Sequence, residues 1–209
     1  MNIEEKLKSL IETPSDINEH LATLRDYAAR CEHVTEMGVR WIVSTWAFLA
    51  GRPKTLVAID MTHPRGFGAD ISIIENYALE LGCNFSFIEA NTLHFEIDPT
   101  DLLFIDTWHA YKQLIAELRL HHNKVGKYII LHDTTSYSDH DEASYSEMGD
   151  HWKPQGIGLW KAVEEFLATH PCWKLEHRYT HNNGLTILRR IKTRHWGCAW
   201  RQKSLSGRL

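Results

Sequence analysis

Hydrophobic and polar positions along the chain form alternating helix-like and strand-like segments. Apolar residues recur at helical spacing in two N-terminal segments, residues 3–12 and 16–31. The predicted strands after them are residues 33–36, 55–60, 84–90, 102–106 and 127–133, and the predicted helices are 40–50, 69–81, 110–123 and 158–169. Strands that alternate with helices over short joints favour βαβ units with right-handed crossovers, and therefore a parallel sheet in an α/β fold.

The last part of the chain departs from this alternation. Residues 173–179 and 185–191 alternate like strands, and the Asn183-Gly184 pair between them is a strong hairpin signal. The sheet is therefore predicted to end in an antiparallel pair. Residues 134–156 are polar and lack a periodic apolar face. Such a long segment in a compact domain is usually functional or disordered, and we interpret it as a lid over a site.

Composition indicates a single globular domain of 209 residues with 43% hydrophobic residues. We divide it into N-terminal helices (1–32), a core (33–191) and a basic tail (192–209). No apolar run approaches the ~18 residues of a membrane span. Four scattered cysteines without a CxxC motif predict free thiols in the cytoplasm. The net charge of −4 argues against nucleic acid, although residues 189–209 carry seven Lys or Arg and no acid. The N-terminal helices and the tail are candidate homodimer contacts.

Two buried strand-like runs end in acids and imidazoles. The run 102–106 ends at Asp106, with His109 three residues later, and the run 127–133 ends in His132-Asp133. Open α/β sheets bind their ligands at the carboxyl ends of the strands, so we expect these side chains to converge if the strands are neighbours. Two carboxylates and two imidazoles suit one small ion or one proton transfer. The alternatives are a helix cap for Asp106, a surface residue for His109, a core histidine for His132 and a turn acid for Asp133.

A second set of residues indicates a nucleoside-binding turn. Gly38 follows the first strand, where a glycine permits a tight turn and close approach of a ligand. Asp60 ends the second strand, where an acid can accept hydrogen bonds from ribose hydroxyls. A GxGxxG dinucleotide motif is absent, because Arg40 and Val43 occupy the positions of its later glycines. This argues against a nicotinamide cofactor.

These motifs resemble those of class I S-adenosylmethionine-dependent methyltransferases over nearly the whole chain. Residues 36–40 followed by Ser44-Thr45 resemble the E-x-G-x-x-x-G-S-T form of the first motif, with Ile42-Val43 where relatives usually carry glycines. The resemblance implies a Rossmann-like, mostly parallel seven-stranded sheet with helices on both faces. It implies S-adenosylmethionine as cofactor, contacted by Glu36, Met37, Gly38, Val39, Ser44, Thr45, Asp60, Met61, Ala90, Asn91 and Asp106.

The second half narrows the resemblance. Asp106-x-x-His109 with His132-Asp133 is similar to the metal site of small O-methyltransferases acting on sugars of macrolides and aminocoumarins, and of the cephalosporin-hydroxylase-like group. Glycan-cluster methyltransferases of bacteria and large algal viruses look similar as well. The resemblance implies Asp106, Asp133 and, in place of an acid that relatives carry, His132 as ligands of Mg²⁺ or Mn²⁺, and His109 as general base. It implies a sugar hydroxyl as acceptor, such as one of rhamnose on a glycan. Candidate sugar-stacking side chains are Trp108, Tyr137 and Trp160.

Two alternatives stay open at this point. One is a metal-independent O-methyltransferase in which His109 or an aspartate is the base; loss of activity with a chelator would separate it from the metal-assisted enzyme. The other is a catalytically degenerate methyltransferase fold that acts as a scaffold. The residues Ile42-Val43 in place of glycines favour this last alternative.

Overall fold

The computed structural model describes residues 2–143 and 155–191, and a seven-stranded sheet forms its centre. The strands are β1 (His33–Met37), β2 (Thr55–Asp60), β3 (Asn84–Glu89), β4 (Thr100–Ile105), β5 (Val125–His132), β6 (Trp173–Tyr179) and β7 (Leu185–Arg190). Their order in the sheet is β3-β2-β1-β4-β5-β7-β6. Strands β1 to β5 are parallel, whereas β7 is antiparallel to β5 and to β6, which confirms the predicted sheet and hairpin. The order changes direction between β1 and β4, and ligands of such sheets bind at this switch point.

Helices cover both faces of the sheet. They are α1 (Ile3–Glu12), α2 (Leu21–Ala28), α3 (Val43–Ala50), α4 (Ser72–Leu81), α5 (Tyr111–His121) and α6 (Leu159–Thr169). Helices α1 to α4 pack on one face, and α5 and α6 pack on the other. Alternate residues of β4 serve the two layers: Leu102 and Phe104 face the first, and Leu103 and Ile105 face the second. A strand that is buried on both faces reads as a continuous apolar run, which is why β4 stands out in the sequence.

Two predicted element bounds near the strand ends are wrong because the backbone there is left-handed. The predicted helix 40–50 begins only at Val43, since Arg40 and Ile42 have φ angles of 44° and 59°. The predicted strand 127–133 ends one residue early, since Asp133 has a φ of 58°. Both deviations lie at the edge of the sheet where the predicted site residues are found.

Other predicted helices are shorter than the sequence pattern indicated. The predicted helix 16–31 is a short 3₁₀ turn, Asn18–His20, followed by α2. The predicted helix 69–81 begins at Ser72, after a 3₁₀ turn at Pro64–Phe67, and the predicted helix 110–123 ends in a third such turn, His122–Lys124. Ile17 and Leu21 flank the first of these turns at helical spacing, so periodicity alone did not separate that turn from α2.

The hairpin turn between β6 and β7 holds the loop that follows β5. The Asn183 carbonyl accepts a hydrogen bond from the Thr135 N–H at 2.9 Å. Gly184 has a φ of 94°, and a Cβ on it would lie 2.3 Å from Thr135 Oγ1. On the other side of the turn, His20 Nε2 lies 3.1 Å from the Asn182 carbonyl oxygen. The N-terminal helical region, the hairpin and the loop after β5 are therefore packed together.

Several predictions concern parts of the chain that the structure describes only partly. Residues 144–154 of the predicted lid and the predicted tail 192–209 lie outside the described residues. Arg189 and Arg190, two of the seven basic residues counted over 189–209, precede this tail and belong to β7. Within the described ranges, no helix has the length and apolar character needed to cross a membrane.

Candidate active site

Four side chains meet at the carboxyl ends of β4 and β5, and we call them the acid–imidazole cluster: Asp106, His109, His132 and Asp133. His109 Nε2 lies 2.8 Å from Asp133 Oδ2 and 3.3 Å from Asp106 Oδ1. His132 Nδ1 lies 3.1 Å from Asp133 Oδ2 and 3.4 Å from Asp106 Oδ1. The structure thus brings together the four residues expected to converge, while their chemical roles stay predictions.

The register of the two strands explains this convergence. Ile105 pairs with Leu131 across the parallel β4–β5 ladder. Asp106, the first residue after β4, and His132, the last residue of β5, therefore lie side by side at the end of the sheet. Asp133 then takes a left-handed conformation, which an aspartate adopts more readily than most residues because its short polar side chain can form local hydrogen bonds.

His109 has carboxylate partners at both ring nitrogens and an aromatic ring on one face. Glu142 Oε2 lies 3.0 Å from His109 Nδ1, and the Glu142 N–H donates to the His109 carbonyl at 2.8 Å. The Tyr137 ring stacks on the imidazole, with centroids 4.8 Å apart and an interplanar angle of 10°. The sequence prediction missed Glu142. Its signal was present, because Glu142 is an acid in the polar segment that was expected to cover the site.

The cluster carries a high density of charge in a buried position. Burial alone would lower the pKa of His109, but hydrogen bonds to Asp106, Asp133 and Glu142 raise it to about 12. Burial would likewise lower the pKa of His132, but the negative charges of Asp106 and Asp133, 3.4 Å and 3.1 Å from its Nδ1, raise it to about 10. Burial opposes ionisation of Asp106 and Asp133, yet the two imidazoles hold the pKa values of both carboxyls below their usual range. The cluster is therefore an ion network.

The donor atoms of the cluster fit a divalent cation. Ligand atoms of Asp106, His109 and Asp133 all lie within 4.8 Å of one another. His132, which the resemblance favours as the third ligand, is not a member of this close set, although it is buried and its Nε2 has no hydrogen-bond partner in the described part of the chain. Carboxylates with an imidazole suit Mn²⁺ or another transition metal better than Mg²⁺, which prefers oxygen ligands.

The turn after β1 lies against the same strand end. Gly38 has a φ of 84°, and its N–H donates to the Ile59 carbonyl at 2.9 Å. The Asp106 N–H donates to the carbonyl of Met37, the last residue of β1, at 2.8 Å. A Cβ on Gly38 would lie 1.9 Å from the Asp106 carbonyl oxygen. The predicted nucleoside turn and the acid–imidazole cluster are therefore direct neighbours.

Asp60 shapes this turn with its carboxylate. Its Oδ2 accepts hydrogen bonds from the N–H groups of Val39 at 2.8 Å and Arg40 at 3.2 Å, and its Oδ1 accepts one from Thr62 at 2.9 Å. A carboxylate offers about four acceptor positions. Asp60 therefore orders the turn and keeps capacity for one further donor, fewer than the two ribose hydroxyls of the sequence-based expectation.

Three predicted cofactor contacts lie behind the turn. Glu36 is fully buried, and its two carboxylate oxygens accept hydrogen bonds from Ser44 Oγ at 2.5 Å and Thr45 Oγ1 at 2.8 Å. Burial raises the pKa of Glu36 to about 8, although these hydrogen bonds oppose the rise. The three side chains tie β1 to α3 and support the turn from inside.

Ile42 keeps a backbone conformation that normally suits glycine. Its φ of 59° lies in the left-handed region, at the position before α3 where the first motif of the methyltransferases that the sequence resembles usually has a glycine. A residue with a Cβ pays roughly 1–2 kcal/mol for this conformation. The turn therefore keeps this backbone conformation although Ile42 stands in place of a glycine, at a cost in backbone strain. This weakens the main argument for a degenerate scaffold.

The remaining predicted cofactor contacts line the adjacent strand ends. Met61 follows Asp60 and is 60% exposed. The N–H of Ala90 donates to the Asp60 carbonyl at 2.8 Å, so the loop after β3, which includes Asn91, begins beside the end of β2. Trp41 lies in the turn between β1 and α3. It is 52% exposed, and its ring centroid lies 6.5 Å from that of Phe67.

A buried carboxylate, Glu117, joins the loops after β3 and β4. Its oxygens accept hydrogen bonds from Thr92 Oγ1 at 2.6 Å and Thr107 Oγ1 at 2.9 Å, and from Gln113 Nε2 at 2.7 Å. Burial raises the pKa of Glu117 to about 7, although the hydrogen bonds oppose the rise. The sequence prediction missed Glu117 as well. Its signal was an acid on the apolar face of α5, next to Leu118.

The three candidate sugar-stacking side chains have different surroundings. Tyr137 belongs to the site, because it stacks on His109. Trp108 is only 8% exposed and lines a small internal cavity together with His109. The Trp160 ring is covered by the Arg178 guanidinium, 3.5 Å from its centroid. Tyr137 is therefore the one of the three that contacts the acid–imidazole cluster through its ring face.

Solved structures with the same arrangement of strands and helices identify the fold. A Bacillus cereus O-methyltransferase in complex with S-adenosylhomocysteine shares 14% identity at a TM-score of 0.55, over 90% of this chain and 90% of that one. The chain has the Rossmann-like methyltransferase fold. An S-adenosylhomocysteine-bound methyltransferase of Podospora anserina is 17% identical at a TM-score of 0.54, over 91% of this chain and 88% of that one.

A third methyltransferase-fold structure comes from Staphylococcus aureus and carries the assignment caffeoyl-CoA O-methyltransferase. It is 14% identical at a TM-score of 0.59, over 91% of this chain and 93% of that one. No protein-family model matches the sequence, and no curated protein matches it. At these identities the similarity establishes the methyltransferase fold alone, so the chemistry has to be argued from the site.

Proposed function

We propose that the chain is an S-adenosylmethionine-dependent O-methyltransferase that methylates a sugar hydroxyl, such as one of a rhamnose on a glycan, with the help of a divalent cation. The contact between Gly38 and the Asp106 backbone carries this proposal. It joins a turn suited to a nucleoside to a cluster suited to deprotonating a hydroxyl group. The methyltransferase fold, with two relatives that bind S-adenosylhomocysteine, supports the choice of methyl donor.

The donor end of the proposed site fits S-adenosylmethionine. Asp60 keeps acceptor capacity for a ribose hydroxyl, since backbone N–H groups use only part of its carboxylate. Met61 is exposed beside it and offers an apolar surface to the nucleoside. Gly38 and Val39 bring the turn to the end of β4, where the donated methyl group would face the acceptor.

At the acceptor end, Asp106 and Asp133 would hold the cation and His109 would accept the proton. A bound divalent cation would lower the pKa of a coordinated sugar hydroxyl and, through its charge, that of the nearby imidazole. His109 Nε2 faces the two carboxylates, so it lies next to any hydroxyl placed between them. The Tyr137 ring keeps the imidazole plane fixed. A positioned base of this kind contributes roughly 10²–10⁴-fold to a rate.

A metal-independent version of the same reaction is the second candidate. An aspartate would be the base in this version, because without the cation the pKa of His109 stays raised to about 12, and its Nε2, 2.8 Å from Asp133 Oδ2, already carries a proton. This enzyme would keep full activity in the presence of EDTA. The metal-assisted enzyme would lose it and regain it when Mn²⁺ is added.

The proposal is tested by calorimetric titration of the protein with S-adenosylhomocysteine and, separately, with Mn²⁺. Asp133→Asn is the site variant, and Asp139→Asn, which removes an exposed carboxylate six residues away, is the matched control. We expect all three proteins to bind S-adenosylhomocysteine, and only Asp133→Asn to lose the Mn²⁺ binding event. Transfer of a labelled methyl group to a panel of rhamnosides then tests the acceptor. Absence of S-adenosylhomocysteine binding in the wild type would overturn the proposal and favour the scaffold alternative.

A further inference from the structure

We infer that Glu142 is a positioning residue that holds the His109 imidazole in its working orientation. The purpose of this orientation rests on the proposed function, in which His109 Nε2 accepts the proton. The observation itself is independent of it: a side chain from the segment after β5 hydrogen-bonds the ring nitrogen that faces away from Asp106 and Asp133.

Glu142 and His109 are joined by a set of reciprocal contacts. Glu142 Oε2 lies 3.0 Å from His109 Nδ1 and accepts a hydrogen bond from the His109 N–H at 3.3 Å. In the opposite direction, the Glu142 N–H donates to the His109 carbonyl at 2.8 Å. One residue thus fixes both the backbone and the ring of the other. A side chain that met His109 by chance would not repeat the contact through the main chain.

The neighbouring Asp141 explains how Glu142 is delivered to this place. Asp141 Oδ1 accepts hydrogen bonds from the N–H groups of Tyr111, at the start of α5, at 2.7 Å and Gly158, just before α6, at 3.1 Å. Its Oδ2 accepts one from the Gln155 N–H at 2.6 Å. This carboxylate therefore ties the segment to the beginnings of two helices, and the residue after it is placed next to His109.

The two ring nitrogens of His109 have different partners and therefore different roles. A histidine whose Nδ1–H is donated to a carboxylate presents its Nε2 in a fixed direction, and such partners of metal-site histidines are known to orient them. Here the fixed direction is towards Asp106 and Asp133. Rotation of the ring by a half-turn would break the Glu142 contact, so Glu142 selects one of the two ring orientations.

The test uses proton NMR of the His109 ring and Mn²⁺ titration of the full chain. The variants are Glu142→Ala, which removes the acceptor, and Glu142→Gln, whose amide oxygen still accepts a hydrogen bond. Asp139→Asn is the matched control, since it removes a carboxylate from the same segment without contact to His109. In the metal-free wild type we expect a low-field, slowly exchanging proton on His109 Nδ1. Its loss in His109→Asn assigns it to His109, and ¹H–¹⁵N correlation in protein with ¹⁵N-labelled histidine rings distinguishes it from the Nε2 proton that faces Asp106 and Asp133.

We expect this proton signal to persist in Glu142→Gln and Asp139→Asn and to disappear in Glu142→Ala. The dissociation constant for Mn²⁺ should stay unchanged in Glu142→Ala and in the control, because the proposed ligands of the cation are Asp106 and Asp133. The affinity for S-adenosylhomocysteine should stay unchanged in every variant that folds. If Glu142→Ala does not fold, Glu142→Asp is measured instead, since its shorter side chain keeps the charge but draws the oxygen back; loss of the signal is again expected.

Persistence of the wild-type signal in Glu142→Ala, or in Glu142→Asp if that variant replaces it, would overturn the inference. Its failure is distinguishable from failure of the proposed function, because the two are read from different experiments. If the wild type binds no Mn²⁺, the metal-assisted mechanism fails, while the His109 Nδ1 proton still reports on Glu142. If Mn²⁺ binds normally and the His109 Nδ1 signal is the same in the wild type and in Glu142→Ala, the mechanism stands and the positioning role fails.

Discussion

The backbones of Gly38 and Asp106 touch at the centre of the site, where a Cβ at position 38 would lie 1.9 Å from the Asp106 carbonyl oxygen. The atom in the way belongs to the main chain of a central strand end, so it cannot move as a side chain would. The glycine is therefore needed for two reasons, its φ of 84° and the absence of a side chain.

Gly38→Ala should strongly destabilise the protein and abolish S-adenosylhomocysteine binding. Gly68→Ala is the matched control, because Gly68 has nearly the same φ, 81°, but a Cβ there would meet nothing within 4 Å. The control should lose only the roughly 1–2 kcal/mol that left-handed strain costs. Urea unfolding of both variants measures the difference, which we assign to the collision with Asp106. Equal losses of stability in Gly38→Ala and Gly68→Ala would show that the collision with Asp106 does not affect the free energy of unfolding.

The left-handed conformation of Asp133 makes one substitution at the cluster far milder than another. Asparagine tolerates a φ of 58° about as well as aspartate, whereas alanine has no polar side chain to compensate the strain. Asp133→Asn should therefore unfold at a higher urea concentration than Asp133→Ala, although both lose the charge. The expected gap in the free energy of unfolding is about 1 kcal/mol. A reversed order would mean that the cluster charge, and not the backbone, decides stability here.

A cation that binds the folded protein and not the unfolded chain must raise the melting temperature. At a free Mn²⁺ concentration about 100 times the dissociation constant, the free energy of unfolding should rise by about 2.7 kcal/mol. Differential scanning calorimetry with Mn²⁺ or EDTA measures this rise. Asp106→Ala should show none, because Asp106 contributes a ligand atom to the close set with His109 and Asp133. An equal rise in the variant would place the cation elsewhere.

The buried Glu117 should make stability fall as the pH rises. Its pKa is raised from 4.5 to about 7 in the folded protein, so the folded state binds the proton more tightly than the unfolded chain does. This contribution is fully present below pH 4.5 and is lost as the pH rises through 7, by about 3 kcal/mol at 1.36 kcal/mol per pH unit.

Glu117→Gln, which resembles the protonated side chain, should flatten this decline between pH 4.5 and pH 7. Urea unfolding at a series of pH values measures it. Glu80→Gln, a substitution of an exposed glutamate on α4, should leave the slope unchanged. Burial also raises the pKa of Glu36, to about 8, and adds a decline of the same sign to all three proteins. If the free energy of unfolding of Glu117→Gln depended on pH as that of the wild type does, Glu117 would be ionised in the folded protein over this whole pH range.

The centre of the sheet could be predicted from the sequence because β4 and the end of β5 are buried on both faces. Residues 102–105 and 129–131 must be apolar throughout to satisfy two helical layers, so the strands and the acids that end them were visible without a structure. The bounds of α3 were not, because nothing in the side chains of Arg40 and Ile42 announces a left-handed backbone. Strain of this kind is imposed by the surroundings and leaves no local signal.

The candidate site was predictable where it follows strand ends and hidden where it depends on contacts between distant parts of the chain. Asp106 and Asp133 were found from their positions after apolar runs. Glu142 and Glu117 were not, since each acts through hydrogen bonds to residues that only the fold brings near. Trp160 was selected for its aromatic ring, but Arg178 covers that ring, and Arg178 lies on β6.

The Asp141 carboxylate holds together two points of the chain that are 14 residues apart. Its Oδ2 accepts hydrogen bonds from the N–H groups of Gln155 and Gly156, while the next residue, Glu142, contacts His109. Because these contacts lie outside residues 143–154, we expect a sequence exchange confined to those positions to leave His109 and the start of α6 where they are. A variant library restricted to residues 143–154 would therefore alter the protein without changing the contacts described above.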